Sequence, residues 1–148
     1  MGNIVFNQAL GRLAHYASLP ATNDALIMVP LEASGLVTDA TMRDYDTLDA
    51  VLAGASNEQT TMGRKTLASV TATVDDTNDR VNIDAADVTW TAATGNAIGA
   101  VVICYDPDTT TGTDADLIPL TKHDVTMTPD GSDFTLTISD FARASSAA

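Results

Sequence analysis

The sequence predicts a mainly antiparallel β protein of the α+β class, a sandwich or partial barrel with two short helices in the N-terminal third. Three observations carry this. From residue 65 onward the apolar residues recur with period two, the mark of half-buried strands. The acidic residues are 18 Asp against only 2 Glu, and Asp favours turns and caps where Glu favours helix interiors. Helical spacing is confined to the first 55 residues, and no internal repeat or linker divides the 148, so one domain is expected.

In chain order, Asn3-Ile4-Val5-Phe6 reads as a short strand or an arm. Leu10, Leu13, Ala14 and Ala17 follow helical spacing, with Asn7 as the expected cap and Pro20 stopping the helix near Ser18. Ala25 to Val29 is a continuous apolar run suited to a buried strand, with Pro30 expected at its end or on an edge. Thr41-Met42-Arg43-Asp44 has the form of a capping box, Tyr45, Leu48 and Leu52 make one stripe, and Gly54 supplies the stop, so a second helix is expected there.

Residues 55–63 read as a polar loop. Ala68, Val70, Ala72 and Val74 then alternate with Ser and Thr, followed by the turn Asp75-Asp76-Thr77-Asn78. Val81 and Ile83, then Val88 and Trp90, continue the alternation. Ile98 to Tyr105 is apolar on both faces and reads as a central strand. Asp106 to Asp114 is a loop, and Leu117 to Leu120 resumes a strand broken by Pro119. Val125 and Met127 match Phe134, Leu136 and Ile138 across Pro129-Asp130-Gly131-Ser132, which predicts a hairpin. Residues 142–148 read as a C-terminal tail.

Charge narrows the function classes. A formal net charge of −13, from 20 acidic and 7 basic residues, repels phosphate and releases no counterions from nucleic acid. No nucleic-acid partner is expected. Nor is a membrane partner: the longest apolar run falls far short of the roughly 20 residues that cross a bilayer, and the start lacks the pattern of a signal peptide. Cys104 stands alone in an apolar run and reads as a small buried hydrophobe.

Catalytic patterns are weak. Nucleophilic chemistry needs a nucleophile and a base within reach, and the two histidines, His15 and His123, neighbour no nucleophile elbow. No phosphate-cradling glycine loop and no paired-cysteine zinc spacing occurs, and no cofactor is expected. The alternating carboxylates of Asp106 to Asp116 suit Ca²⁺, but the glycine comes one place late for an EF-hand and Leu117 stands where a bidentate Glu is needed. A solvated loop is the expectation there and at Asp75 to Asp79. Trp90 reads as a core anchor. For Asn3, Ile4, Val5 and Phe6 two readings stand: the first strand of the core, or a strand that adds to a partner's sheet edge.

Several runs carry a resemblance. These are Asn3-Ile4-Val5-Phe6-Asn7 followed by Gly11-Arg12, Asp44-Tyr45-Asp46-Thr47-Leu48, Asp75-Asp76-Thr77-Asn78, and Thr89-Trp90. They continue with Cys104-Tyr105-Asp106-Pro107-Asp108-Thr109-Thr110, Asp116-Leu117-Ile118-Pro119-Leu120 and Pro129-Asp130-Gly131-Ser132-Asp133. Together they span nearly the whole chain and resemble the head decoration (cement) proteins of long-tailed bacteriophages of actinobacteria. The motifs are turn and core patterns rather than chemical signatures. The resemblance implies a non-enzymatic virion protein on the outer surface of the capsid, a homotrimer that binds the major capsid protein and bridges its subunits. It implies an apolar arm, residues 1–6, pairing with a capsid strand. The alternatives are a tail-tube, tail-terminator or head–tail connector subunit, or a Ca²⁺-dependent surface- or carbohydrate-binding domain.

Overall fold

The computed structural model describes residues 2–54 and 56–145. Its frame is a five-stranded antiparallel sheet in the order β1-β8-β7-β2-β3, formed by β1 (Ile4–Val5), β2 (Ala25–Glu32), β3 (Lys65–Thr66), β7 (Ile98–Asp106) and β8 (Ile118–Met127). A three-stranded sheet, β10-β5-β4, joins β4 (Thr71–Asp75), β5 (Arg80–Asp84) and β10 (Ala142–Ser145). A third pairs β6 (Val88–Trp90) with β9 (Phe134–Leu136). Three short helices, α1 (Leu13–Ser18), α2 (Asp39–Met42) and α3 (Leu48–Ala53), complete the described elements with a 3-10 turn at Asn7–Ala9. This is the predicted mainly antiparallel α+β class.

Both faces of the large sheet are covered, which explains its unbroken apolar runs. Successive side chains of a strand point to opposite faces. Leu26 and Met28 of β2 and Val101, Ile103 and Tyr105 of β7 face the two smaller sheets and α1, where Trp90, Ile83 and Leu13 meet them. Ile27, Val29, Leu31, Val102 and Cys104 face the other way, onto Met42, Leu48 and Val51 of α2 and α3. Trp90 is the anchor of the first layer. It is 2% exposed, donates its indole N–H to the Gly63 carbonyl at 2.9 Å, and stacks on Phe134 at 5.8 Å between centroids.

Two prolines sit inside strands rather than at their ends. Pro30 lies within β2, but its carbonyl faces Gln59 (2.9 Å), on the side where β3 no longer runs. The N–H and C=O of a strand residue point the same way, so the missing N–H costs no ladder bond. Pro119 lies within β8 opposite Cys104, where the β7–β8 register shifts. The irregularity absorbs the residue that lacks a donor.

Four local expectations are corrected. The second helix is two: Thr38 caps α2 through Thr41 N–H (3.3 Å) and Thr47 caps α3 through Ala50 N–H (3.2 Å). Thr41 is therefore inside α2 and caps nothing; the chain turns at residues 43–47 because the Leu48 and Asp49 N–H groups bond the carbonyls of Leu117 and Asp114. Asn7 caps no helix; its amide bonds Asp44 at 2.6 Å. The alternating run 65–74 is broken at Ser69, whose φ is +52°. Finally, residues 125–127 and 134–136 form no hairpin. β9 pairs with β6, and the 128–133 turn is held to residues 92 and 93 by Gly131 N–H to Ala93 O (2.8 Å) and Ala92 N–H to Asp133 (2.8 Å).

One chain-end expectation changes. Residues 142–145 of the expected tail are β10, paired with β5 from Ala142↔Ile83 to Ser145↔Arg80. Residues 146–148 lie outside the described residues, as does Met1 of the expected arm. Ile4 and Val5 form β1, paired with β8 at Lys122 and Thr121.

Candidate functional site

The residues expected to bind a partner, Asn3, Ile4, Val5 and Phe6, are mostly turned inward. Ile4 is 8% exposed and Phe6 is fully buried in the layer against α2 and α3. Asn3 is exposed and its side chain accepts the Asp124 N–H at 3.0 Å. Phe6 N–H bonds Leu120 O at 3.0 Å. Of the two readings the sequence left open, β1 fits the first strand of the core: Ile4 and Phe6 are spent on the chain's own core, while β1 itself forms an edge of the large sheet.

Beside β1 lies an ion network the sequence did not signal. The Lys122 side chain is fully buried, and its ammonium donates to Gly2 O and Asp39 Oδ1, both at 2.8 Å, and to Asp124 Oδ1. The Gly2 N–H donates to Asp39 Oδ2 at 2.6 Å. A buried ammonium is tolerable only when each N–H has an acceptor, and here all three do. The Lys122 bond, then that of Gly2, holds the Asp39 carboxyl below its ordinary value. The network ties the chain start to the first residue of α2. It presents no free nucleophile.

The aspartates explain their own abundance. Asp108 accepts from the N–H and hydroxyl of Thr110 (2.9 and 2.5 Å) and from both groups of Thr111. Asp116 accepts from Thr113, Asp130 from Ser132, Asp75 from Asn78, and Asp24 from Ala21. In each case hydrogen bonding lowers the carboxyl pKa. These side chains close turns that a longer Glu does not fit. In the 106–116 loop the carboxylates bind their own backbone and threonines, and Arg64 bridges Asp114 (2.6 Å) to Glu58 (2.7 Å). Among the described residues, no three His, Cys, Asp or Glu side chains gather as a metal site.

The remaining reactive groups serve packing. Cys104 is fully buried, and desolvation pushes its thiol pKa up, so no thiolate is presented. The Tyr105 hydroxyl donates to Asp24 at 2.8 Å, and burial with that bond pushes its pKa up to about 12. His15 is exposed and leans on Tyr16 at 5.6 Å. His123 lies half-buried in a cleft of about 230 Å³ between β8 and residues 136–141, touching Thr121 at 2.9 Å with Phe141 edge-on. Burial, with Lys122 adding to it, lowers its pKa; the Asp124 charge opposes. The hydroxyl within its reach is that of Thr121, a residue only 1% exposed.

Two large apolar side chains are exposed among the described residues, Leu10 at 60% and Val74 at 67%. Val74 belongs to β4, whose residues 71–74 are exposed on both faces. Neither signal was separable in the sequence, where Val74 belongs to an ordinary alternating pattern. No helix of the described residues is long and apolar enough to cross a membrane. Comparison with protein-family models, curated proteins and solved structures finds no match to this chain.

Proposed function

We propose that this protein is a non-enzymatic structural protein that decorates the outside of a bacteriophage head, binding the major capsid protein and stabilising the shell. The observation that supports a structural role is the use made of its reactive groups. Lys122, Cys104, Trp90 and the loop aspartates are each committed to closing turns, tying elements together or filling the core. The residue runs named above support the assignment to a virion. A net charge of −13 suits the outer face of a particle whose interior holds nucleic acid, because it disfavours contact with the phosphate backbone. Many identical weak contacts around a shell add up by multivalency.

Co-sedimentation of the purified chain with undecorated phage shells tests this. Saturable binding at a fixed ratio to capsid subunits is expected. No binding, with rings or tubes of the chain alone, would replace the proposal with a tail or connector subunit.

A further inference from the structure

Charge is segregated along this chain. Its first acidic residue is Asp24, and the segment before it carries Arg12 and His15; after Asp140 no acidic residue follows, and Arg143 does. The fold brings these two acid-free ends together by packing α1 against β10. A hollow of about 320 Å³ lies between them, lined by Val5, Leu10, Ala14, Arg143 and Ala144 among others, with no carboxylate in its lining. Arg12 is exposed beside Leu10 and has no ion pair among the described residues; Arg143 shares Asp140 at 3.0 Å.

A second hollow, of about 420 Å³, shares Ala144 and is bounded by Val74, Val81, the ion pair Asp75–Arg80 (3.1 Å), and the carboxylates Asp76 and Asp79, which have no ion pair among the described residues. The register explains why the two adjoin. Ala144 and Val74 both lie opposite Val81, so the three side chains stand in one row on one face of the small sheet. The next row on that face holds Ala142 and Ile83, both buried in the core, and Ala72, which is exposed on the outer strand. The core face therefore runs out into solvent as an apolar strip from Leu10 through Ala144 to Val74. It is basic at the Leu10 end and acidic at the Val74 end. The edges it borders, the outer sides of β10 and β4, have no strand partner among the described residues.

We propose that this strip is a contact between two copies of this chain, related by a twofold axis near Ala144. Charge complementarity selects a second copy. Laid antiparallel on itself, the strip sets Arg12 and Arg143 of each copy against Asp76 and Asp79 of the other, and apolar side chains against apolar ones. A twofold contact makes each pairing twice. Elsewhere a molecule of net charge −13 repels its own kind. The proposal stands apart from shell binding, and either can fail alone; it departs from the homotrimer that the resemblance implies, and three times the monomer mass would overturn it.

Sedimentation equilibrium of the full chain tests it. The wild type is expected at twice the monomer mass, and Leu10→Asp with Val74→Asp at the monomer mass with unchanged circular dichroism. Two charge variants, which alter only solvent-facing groups, keep the test open should that pair unfold. R12D/R143D and D76R/D79R should each be monomeric alone, and an equimolar mixture should recover the doubled mass. A monomeric wild type, an oligomer indifferent to these substitutions, or a mixture that stays monomeric would overturn the proposal.

Discussion

Lys122 is the residue on which the chain start depends. With its side chain fully buried and bonded to Asp39 and Asp124, removing one acceptor leaves a charge short of compensation. Asp39→Ala is expected to destabilise by about 3 kcal/mol, whereas Lys122→Met, which removes the charge itself, should cost less. Urea midpoints of the two variants check the order. His123 governs a different window. Its folded pKa is depressed, chiefly by burial, so the unfolded chain binds the proton more readily. Stability is therefore full above the unfolded value of about 6.5 and is lost as pH falls through the folded value. Asp39, Asp75 and Asp108 have lowered pKa values and lose their contribution only as pH falls below about 4. His123→Asn should abolish the upper stage of the decline and leave the lower, in melting temperatures taken at successive pH values.

At the scale of elements, β1 follows the first of the two readings the sequence left open. Phe6 is fully buried and Ile4 nearly so, so Phe6→Ala should cost about 3 to 4 kcal/mol. Deleting residues 1–6 should unfold the chain at moderate temperature, rather than leave a folded domain that merely binds less. Calorimetry of the truncated protein separates the two outcomes. The caps are smaller matters: Thr38→Ala and Thr47→Ala should each lower stability by about 1 kcal/mol, read from denaturant midpoints. A glycine tests the loop that links the layers. Gly95 has φ +110°, and a Cβ there would stand 2.5 Å from the Gln59 amide, which itself bonds Asn96 O at 2.7 Å and is 1% exposed. Gly95→Ala is therefore destabilising twice over, through backbone strain and through displacement of a buried amide.

For the molecule as a whole, the acidic surface and the metal question have separate readouts. Because the 106–116 carboxylates are occupied by threonine and backbone donors, EGTA should leave the melting temperature unchanged; a shift of several degrees would mean a bound ion stabilises the fold. Added salt should raise it, since screening relieves the self-repulsion of 20 acidic against 7 basic residues.

The fold class, the buried character of Ala25 to Val29 and Ile98 to Tyr105, the turn at Asp75 and the anchor Trp90 were all legible in the sequence. Each follows from a local rule, because alternation, continuous apolarity and Asp-rich turns report how a segment meets water. The candidate site was legible only in part. That Cys104 is a buried hydrophobe could be read from its neighbours, but the burial of Lys122 and the exposure of Val74 could not. Which strand pairs with which also lay outside local pattern. Residues 125–127 and 134–138 match as a hairpin, yet β9 goes to β6 because Trp90 needs Phe134 across from it and the Gly131 turn is bonded to Ala93. By itself the sequence determined which segments are apolar or alternating and where Asp-rich turns fall, since those are properties of short segments. The tertiary structure alone decided what the buried faces meet, because a side chain's burial depends on partners far along the chain: Ile4 and Phe6 against α2 and α3, and Lys122 against Asp39 and Gly2.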